Sequence, residues 1–457
     1  MKMSKKTINQ RNGLINELME KCLLFSTRNE TIHDALITEF NELNLIATNI
    51  QQIESGLFVP HRRDDHLKDF ISWLSSNDCS HEDIDITCVD KTTNEYGLIA
   101  KKPIPEDELT LSIPKKIMMT TESALIDPCL ATVASEDSLL KSMPNVLLSF
   151  HLMVEYCRKD SFWKPYILFC PSIYLTPLYY TKDDIILLKG SPALVDAVKL
   201  IRNIYRQYAY FWKKITTKNS AFSKIDSLRG LFCLDLYRWA TATVMTRQNQ
   251  IPVLPPSVTA PDSRFNPSNL TALIPMWDLC NHSDGKFSTD YDPSESKLLC
   301  YSMKSFAVNE EINIFYGKRT NAEFLINNGF IPVDNRYDFL SIRLGLSQVD
   351  PLYELRSRLC SKMGLQTSGY FALHHKSVGL DEDLLNYVKI FLMDKTVLDK
   401  KLLESDTCPT KSFNDLPEDL TTKAINFIAI RCQLLLKSYP TLDKEKTYLF
   451  VVNKLPN

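Results

Sequence analysis

Three short segments of this 457-residue chain carry side chains that a hydrophobic core does not require. The first, Thr246-Arg247-Gln248-Asn249-Gln250, follows an apolar stretch from Trp239 to Met245 and precedes Pro252. Three consecutive forked side chains can read a planar polar group, or they can solvate the end of a helix. In the second, Trp277 to Asp284 (WDLCNHSD), Asp278, Asn281 and His282 are interleaved with Trp277, Leu279 and Cys280. A lone histidine among apolar residues serves as a hydrogen-bonded structural group as readily as a reacting one. The third, Ile312 to Phe330, reads as a strand that turns at Gly317 into a helix ended by Gly329, and it carries Ile314, Tyr316 and Arg319. Taken singly, Trp277 and Ile314 also suit a core, and Arg319 a solvated helix.

The elements that position these segments follow from hydrophobic period. Leu36, Phe40, Leu43, Ile46, Ile50, Ile53 and Leu57 recur at three- and four-residue steps, predicting an amphipathic helix that stops at Gly56 and Pro60. Residues 1–60 thus form an N-terminal helical arm, one without a functional signal of its own. Short strands are expected at Ile84 to Val89, Leu98 to Ala100, Leu109 to Ile113, Leu298 to Met303 and Ile312 to Phe315. Between them, residues of about 120–245 read as helical. There Leu194, Val198, Ile201, Tyr205, Tyr208, Trp212 and Ile215 form one continuous seam, suited to helix packing. Pro252, Pro255, Pro256, Pro261 and Pro267 mark a loop. The last 110 residues or so read as helical, most clearly where Pro417, Glu418 and Asp419 open a helix that stops before Pro440. The plan is α+β.

Composition narrows the chemistry. Lysine plus arginine (53) nearly balances aspartate plus glutamate (55), so bulk charge gives no grip on nucleic acid or anionic membrane. Glycine is scarce, at 12 residues, and no G-x-G occurs. Gly364 and Gly369 have P-loop spacing, but Tyr370 stands where lysine must follow. Glycine-rich phosphate cradles are therefore excluded. The 12 cysteines lack metal or disulfide spacing, so no metal is expected. The first ten residues lack the apolar stretch of a secretory signal, and no run of 18 apolar residues follows. Reduced cysteines in the cytoplasm or nucleus are the expectation.

Together, the three segments closely resemble the core motifs of SET-domain protein methyltransferases. Asn281-His282 and Phe315-Tyr316-Gly317 match the two segments that form that family's pseudoknot, and Glu95-Tyr96-Gly97 resembles its early cofactor loop. The helical insert and C-terminal helices resemble the Rubisco large-subunit methyltransferase subfamily. TRQNQIP, WDLCNH and IFYGKRTNAEF read like the branch of it that methylates a histidine of actin. The resemblance implies a SET domain over 61–335, built of short strands with a pseudoknot and a helical insert. An all-α substrate-binding domain would occupy 345–457. The absence of a C-terminal cysteine cluster is consistent with this subfamily, which closes its site with helices rather than zinc.

The same resemblance implies S-adenosylmethionine as cofactor. Arg63 would pair with its carboxylate, since a guanidinium suits bidentate contact. Asn94, Glu95 and Tyr96 would touch it through backbone, as would Arg247. Asp278, Leu279, Cys280, Asn281 and His282 would line it. Asn328 would too, standing where the family often has serine, and the 94–96 loop has Asn-Glu-Tyr where the relative has Glu-Gly-Phe. Asn249 and Tyr316 would be catalytic, with Trp277, Ile314 and Arg319 completing the substrate cleft. An imidazole with a pKa of about 6.5 is mostly neutral at pH 7 and needs orientation more than a base. An amide oxygen accepting from Nδ1–H frees the Nε2 lone pair. Asn249, at the position where lysine-specific relatives tend to carry an aromatic, is read as that selector. The implied partner is actin, with the enzyme a monomer that binds neither nucleic acid nor membrane. A protein-lysine methyltransferase on the same fold, and a non-catalytic actin-binding adaptor, are the alternatives.

Overall fold

The computed structural model describes residues 4–28, 32–79, 81–252, 269–374, 379–407, 413, 416, 418–437 and 439. Two helices, Lys5–Ser26 and His33–Ile53, form the N-terminal part. The stripe of Leu36, Phe40, Leu43, Ile46 and Ile50 is buried as its period requires, while Ile53 and Leu57 are half-buried. Rather than standing apart as an arm, the pair docks on the long helix Ala193–Thr216, and its side chains join the main core. Burial of Leu194, Val198, Ile201, Tyr205, Tyr208, Trp212 and Ile215 makes that helix the hub of the packing. A 2.9 Å ion pair between Glu39 and Arg202 sits in the seam. Two charges so placed need each other, because either alone would be a costly buried ion.

The described residues contain eleven strands: β1 (Ile84–Asp90), β2 (Glu95–Ala100), β3 (Leu109–Pro114), β4 (Met119–Thr120), β5 (Gln248–Pro252), β6 (Asn269–Leu273), β7 (Thr289–Asp292), β8 (Lys297–Tyr301), β9 (Glu311–Ile312), β10 (Phe339–Gly345) and β11 (Ser368–His374). They form three small three-stranded sheets, ordered β1-β2-β9, β3-β8-β7 and β4-β6-β5, and one antiparallel two-stranded sheet, β10-β11. The expected strand at Ile312 to Phe315 is shorter than its apolar run. After pairing with β2 at Ile312, the chain leaves that ladder: Ile314 N–H donates to the Asn281 carbonyl (3.0 Å) and Ser283 N–H donates to the Ile314 carbonyl (3.1 Å). One short stretch thus ties two separate segments together, which is the knot the motifs lead one to expect.

The helices between Thr121–Ile126 and Leu234–Arg247 fill the predicted insert. Leu234–Arg247 runs straight into β5, so one continuous piece of chain sets Arg247 and Asn249. Pro255, Pro256, Pro261 and Pro267, like Pro417 and Pro440, lie outside the described residues.

A second hydrophobic core, from Leu346 to Ile428, is built on the helices Tyr353–Lys362, Glu382–Leu392, Lys395–Thr407 and Glu418–Leu436. The all-α expectation for this part needs one correction, the two-stranded sheet of β10 and β11, which are joined through the helix Tyr353–Lys362. Leu340, Ile342 and Leu344 alternate with Ser341 and Arg343 along β10, a period-2 pattern that the helical reading passes over because it is only seven residues long; Ile342 faces Phe371, and both are buried. No helix among the described residues is long and apolar enough to cross a membrane.

Candidate active site

A pocket of about 180 Å³ opens between the 94–96 loop, the start of β2, and the ends of the helices Leu234–Arg247 and Asn321–Asn328. Arg63 forms one wall from the turn Arg63–His66. It is 5% exposed, with its guanidinium stacked against Tyr96 (4.6 Å) and Phe169 (4.7 Å). Its Nε donates to the Phe169 carbonyl at 3.0 Å and its Nη1 reaches the Asn94 carbonyl at 3.5 Å. No group among the described residues accepts from its Nη2. Burial, with help from the nearby charge of Arg247, pulls Arg63 down to about 10, which still leaves it a cation at neutral pH. Asn94 adopts φ 55°, a left-handed conformation that asparagine tolerates, and this turns its carbonyl toward Arg63.

Opposite Arg63 lies a buried pair. Arg247 Nη1 donates to the Asp278 carbonyl (2.8 Å) and pairs with its Oδ2 (3.3 Å), which also accepts from the Tyr166 hydroxyl (2.7 Å). The second oxygen of Asp278, Oδ1, has no partner among the described residues. The turn that carries Asp278 starts from Met276 at φ 69° and ψ −50°, a strained conformation for a non-glycine residue. Full burial of Met276 holds it there.

Asn281 also lines this pocket, and its Nδ2 donates to Glu311 Oε1 at 2.7 Å. Glycine at 97 permits this: a Cβ there would lie 2.6 Å from Glu311 Oε1 and 3.2 Å from Asn281 Nδ2. His282 accepts through Nδ1 from the Tyr316 N–H (3.2 Å) and faces a neighbouring hollow of about 360 Å³ rather than the pocket itself. Burial lowers its pKa. Leu279 lines neither cavity and packs in the core, a departure from the predicted lining.

A larger cleft of about 720 Å³ shares Thr246, Arg247, Asp278, Tyr316 and Asn328 with the pocket. Asn249, Trp277, Cys280, Ile314 and Arg319 lie along it, so every residue predicted for the substrate side comes together. Asn249 Nδ2 donates to the Arg247 carbonyl at 3.2 Å, and the amide oxygen carries no hydrogen bond from a described residue. Tyr316 donates its hydroxyl to the Cys280 carbonyl at 2.7 Å, and burial raises its pKa, so it stays a neutral phenol. Trp277 is anchored through Nε1 on Thr289 Oγ1 at 3.2 Å. Asn328 differs from a simple lining residue: its Oδ1 accepts from Arg319 Nη1 (2.8 Å) and its Nδ2 reaches the Thr246 carbonyl (3.5 Å), so it braces the junction of the two cavities.

Tyr166, Phe169, Tyr174, Leu175 and Glu311 complete the site and were not anticipated. The first four fall in the insert, in a mostly apolar run with no chemical marker, where Tyr166, Phe169 and Tyr174 are buried and Leu175 is exposed. One hint lies opposite Leu175, at Gly329, where a Cβ would come within 2.8 Å of the Leu175 backbone. Among the described residues no group of three or more histidine, cysteine, aspartate or glutamate side chains could hold a metal.

Comparison with known proteins bears on this geometry. A family model described as Rubisco LSMT substrate-binding matches residues 347–449. The actin-histidine N-methyltransferases of Gallus gallus and Homo sapiens are each 36% identical to the chain over 419 residues, covering 90% of it and 68% of each relative. The chain belongs to the actin-histidine N-methyltransferase family. For this member of the family the fold has a solved counterpart: the SET domain of LSMT bound to lysine and AdoHcy, with a TM-score of 0.62, 20% identity and 84% of both chains covered. At that identity the likeness is one of fold, and it makes the three small sheets around the knot a SET domain.

Proposed function

We propose that the protein is an S-adenosylmethionine-dependent protein-histidine N-methyltransferase that modifies Nε2 of a histidine in actin. One observation carries the reading. The Arg63 pocket and the Asn249 cleft meet at Tyr316, so a cofactor and an acceptor held in the two would face each other across one phenol ring. Names borne by relatives at 36% identity point to the same activity.

The residues present fit the cofactor. An amino-acid tail carries one anion and one cation, and the pocket offers an unpartnered guanidinium nitrogen on Arg63 and an unpartnered carboxylate oxygen on Asp278. Buried polar atoms without partners are costly and rare, so both are suited to a ligand. Asn281 and the Asn94–Tyr96 backbone would hold the remainder. When bound, S-adenosylmethionine supplies an electrophilic methyl group on its sulfonium.

The chain's own work is orientation. Since the Asn249 Nδ2 is committed to the Arg247 carbonyl, its free Oδ1 would accept from Nδ1–H of the acceptor imidazole. That selects the tautomer whose Nε2 lone pair is unprotonated and points it along the cleft. Tyr316, fixed by the Cys280 carbonyl, and Trp277, fixed by Thr289, limit the lateral freedom of the ring. Transfer in line needs little beyond such alignment.

Incubation with labelled cofactor and actin, followed by mapping of the modified residue by mass spectrometry, tests the proposal. Label on one histidine is expected. Label on lysine would favour the lysine-methyltransferase alternative, and binding of actin without label the adaptor.

A further inference from the structure

The cleft that holds Asn249 continues past Arg319. Arg319 and Glu323 line both it and a second hollow of about 410 Å³, which has Tyr337 and Phe339 as its aromatic floor and Lys318, Arg336 and His374 at its rim. This hollow sits where the helix Asn321–Asn328 meets the β10–β11 sheet, since Phe339 opens β10 and His374 closes β11. Phe339 and His374 pack edge to face with centroids 5.5 Å apart. Lys318 Nζ lies 5.6 Å from the centre of the Tyr337 ring, and Arg336 lies 5.0 Å from it.

The charges around the hollow are unevenly spent. Arg336 is paired with Asp284 at 3.0 Å, and His374 lies 3.7 Å from Asp381. Glu323 turns its Oε2 inward to cap its own helix, accepting from Thr320 N–H at 2.7 Å. Lys318 and Arg319 form no ion pair among the described residues; Arg319 is held by the neutral Asn328 at 2.8 Å. Glu323 acts on Arg319 from the same wall, so Lys318, exposed and without an ion pair among the described residues, is the cation left over beside the aromatic rings, in a hollow that shares Arg319 and Glu323 with the acceptor cleft. A surface that served only solubility would not need the aromatic floor.

We infer that this hollow is a specificity subsite for an acidic residue of the protein substrate close in sequence to the methylated one. Its carboxylate lies against Lys318, and its aliphatic stem lies over Tyr337 and Phe339. The inference rests on the protein-methyltransferase reading above and adds to it a rule for substrate choice. Because the pairing is rim-exposed, it acts on substrate affinity and on association rate more than on the chemical step.

The test uses the full chain and synthetic actin peptides centred on the methylated histidine, with each aspartate and glutamate neutralised to asparagine or glutamine in turn. One neutralised position should raise KM about two- to fivefold with kcat unchanged, the range an exposed charge pair allows. Lys318→Gln should raise KM to a similar degree for the unaltered peptide and add nothing for that neutralised one. Lys318→Glu should recover when that acidic residue is replaced by lysine. Because Lys318 is exposed, these variants should keep the melting temperature of the parent. A KM indifferent to Lys318 across all peptides, with the unaltered enzyme active, overturns the subsite alone. Methylation of none of the peptides by the unaltered enzyme overturns the subsite together with the reading on which it rests.

Discussion

Asn281 and Glu311 are joined by a 2.7 Å hydrogen bond that passes over Gly97 and locks the two halves of the knot against β2. The bond exists because position 97 has no side chain. Gly97→Ala would place a methyl group 2.6 Å from Glu311 Oε1 and 3.0 Å from Val89 Cγ1, forcing the carboxylate away. Overpacking of this kind costs about 1–3 kcal/mol. A lower thermal midpoint is expected, together with weaker S-adenosylhomocysteine binding by calorimetry. An unchanged affinity would separate the bond from the pocket.

Arg63 tests the cofactor assignment most directly. Among the described residues its Nη2 is unpartnered and it forms no ion pair, Asp278 acting on it only from a longer range. Arg63→Met keeps much of the stacking on Tyr96 and Phe169 while removing the cation. If a charge-assisted bond contributes about 1.5–3 kcal/mol, S-adenosylhomocysteine affinity should fall roughly 10- to 150-fold. Relief of a buried, unpaired guanidinium should at the same time leave the empty protein no less stable, which a melting curve would show.

Asn249→Phe removes the amide oxygen offered to an imidazole N–H. Histidine turnover on an actin peptide should drop by at least about tenfold, the loss expected when a hydrogen bond that orients the acceptor is deleted. A peptide with lysine in place of the histidine should gain relative to it. Mass spectrometry of both peptides with both enzymes gives the ratio. Unchanged histidine turnover would remove Asn249 from the mechanism.

Acid sensitivity has a definite sign at His151. It is 1% exposed, and burial brings it down from 6.5 to about 4. The folded form binds its proton less readily than the unfolded chain, so its contribution is intact above pH 6.5 and is lost as the pH falls toward 4. The loss is on the order of 3 kcal/mol. Glu54, which burial pushes up to about 7, runs the other way, since its burial is relieved as acid protonates it between pH 7 and 4.5. His151→Asn should therefore remove the acid-induced loss and leave the gain from Glu54. Thermal midpoints at pH 5 and pH 7.5 would show the variant losing less on acidification than the parent.

Much of the site was legible in the chain because its markers are local. Turns at Gly317 and Gly329 were readable from the glycines, and they take φ values of 101° and 84°. Long helices declared themselves by period, as Ala193–Thr216 did through seven seam residues. Residues of the cleft were found by motif and by resemblance, and Asn249, Trp277, Ile314, Tyr316 and Arg319 do share one cavity.

Other features depended on contacts between segments far apart in sequence. Tyr166 meets Asp278 across 112 positions, and Gln51 meets Asp235 across 184. No local pattern marks such a pair, because each partner looks like an ordinary buried or surface residue in its own segment. The shortness of β9 was settled the same way, by Ile314 giving its backbone bonds to residues 281 and 283 in place of a sheet. Side-chain types and their spacing, which are properties of the chain, were enough to say what chemistry the protein is equipped for. Which nitrogen of Arg63 is left free, and which oxygen of Asp278, depended on how burial and packing distributed hydrogen-bond partners, and only the tertiary structure decides that.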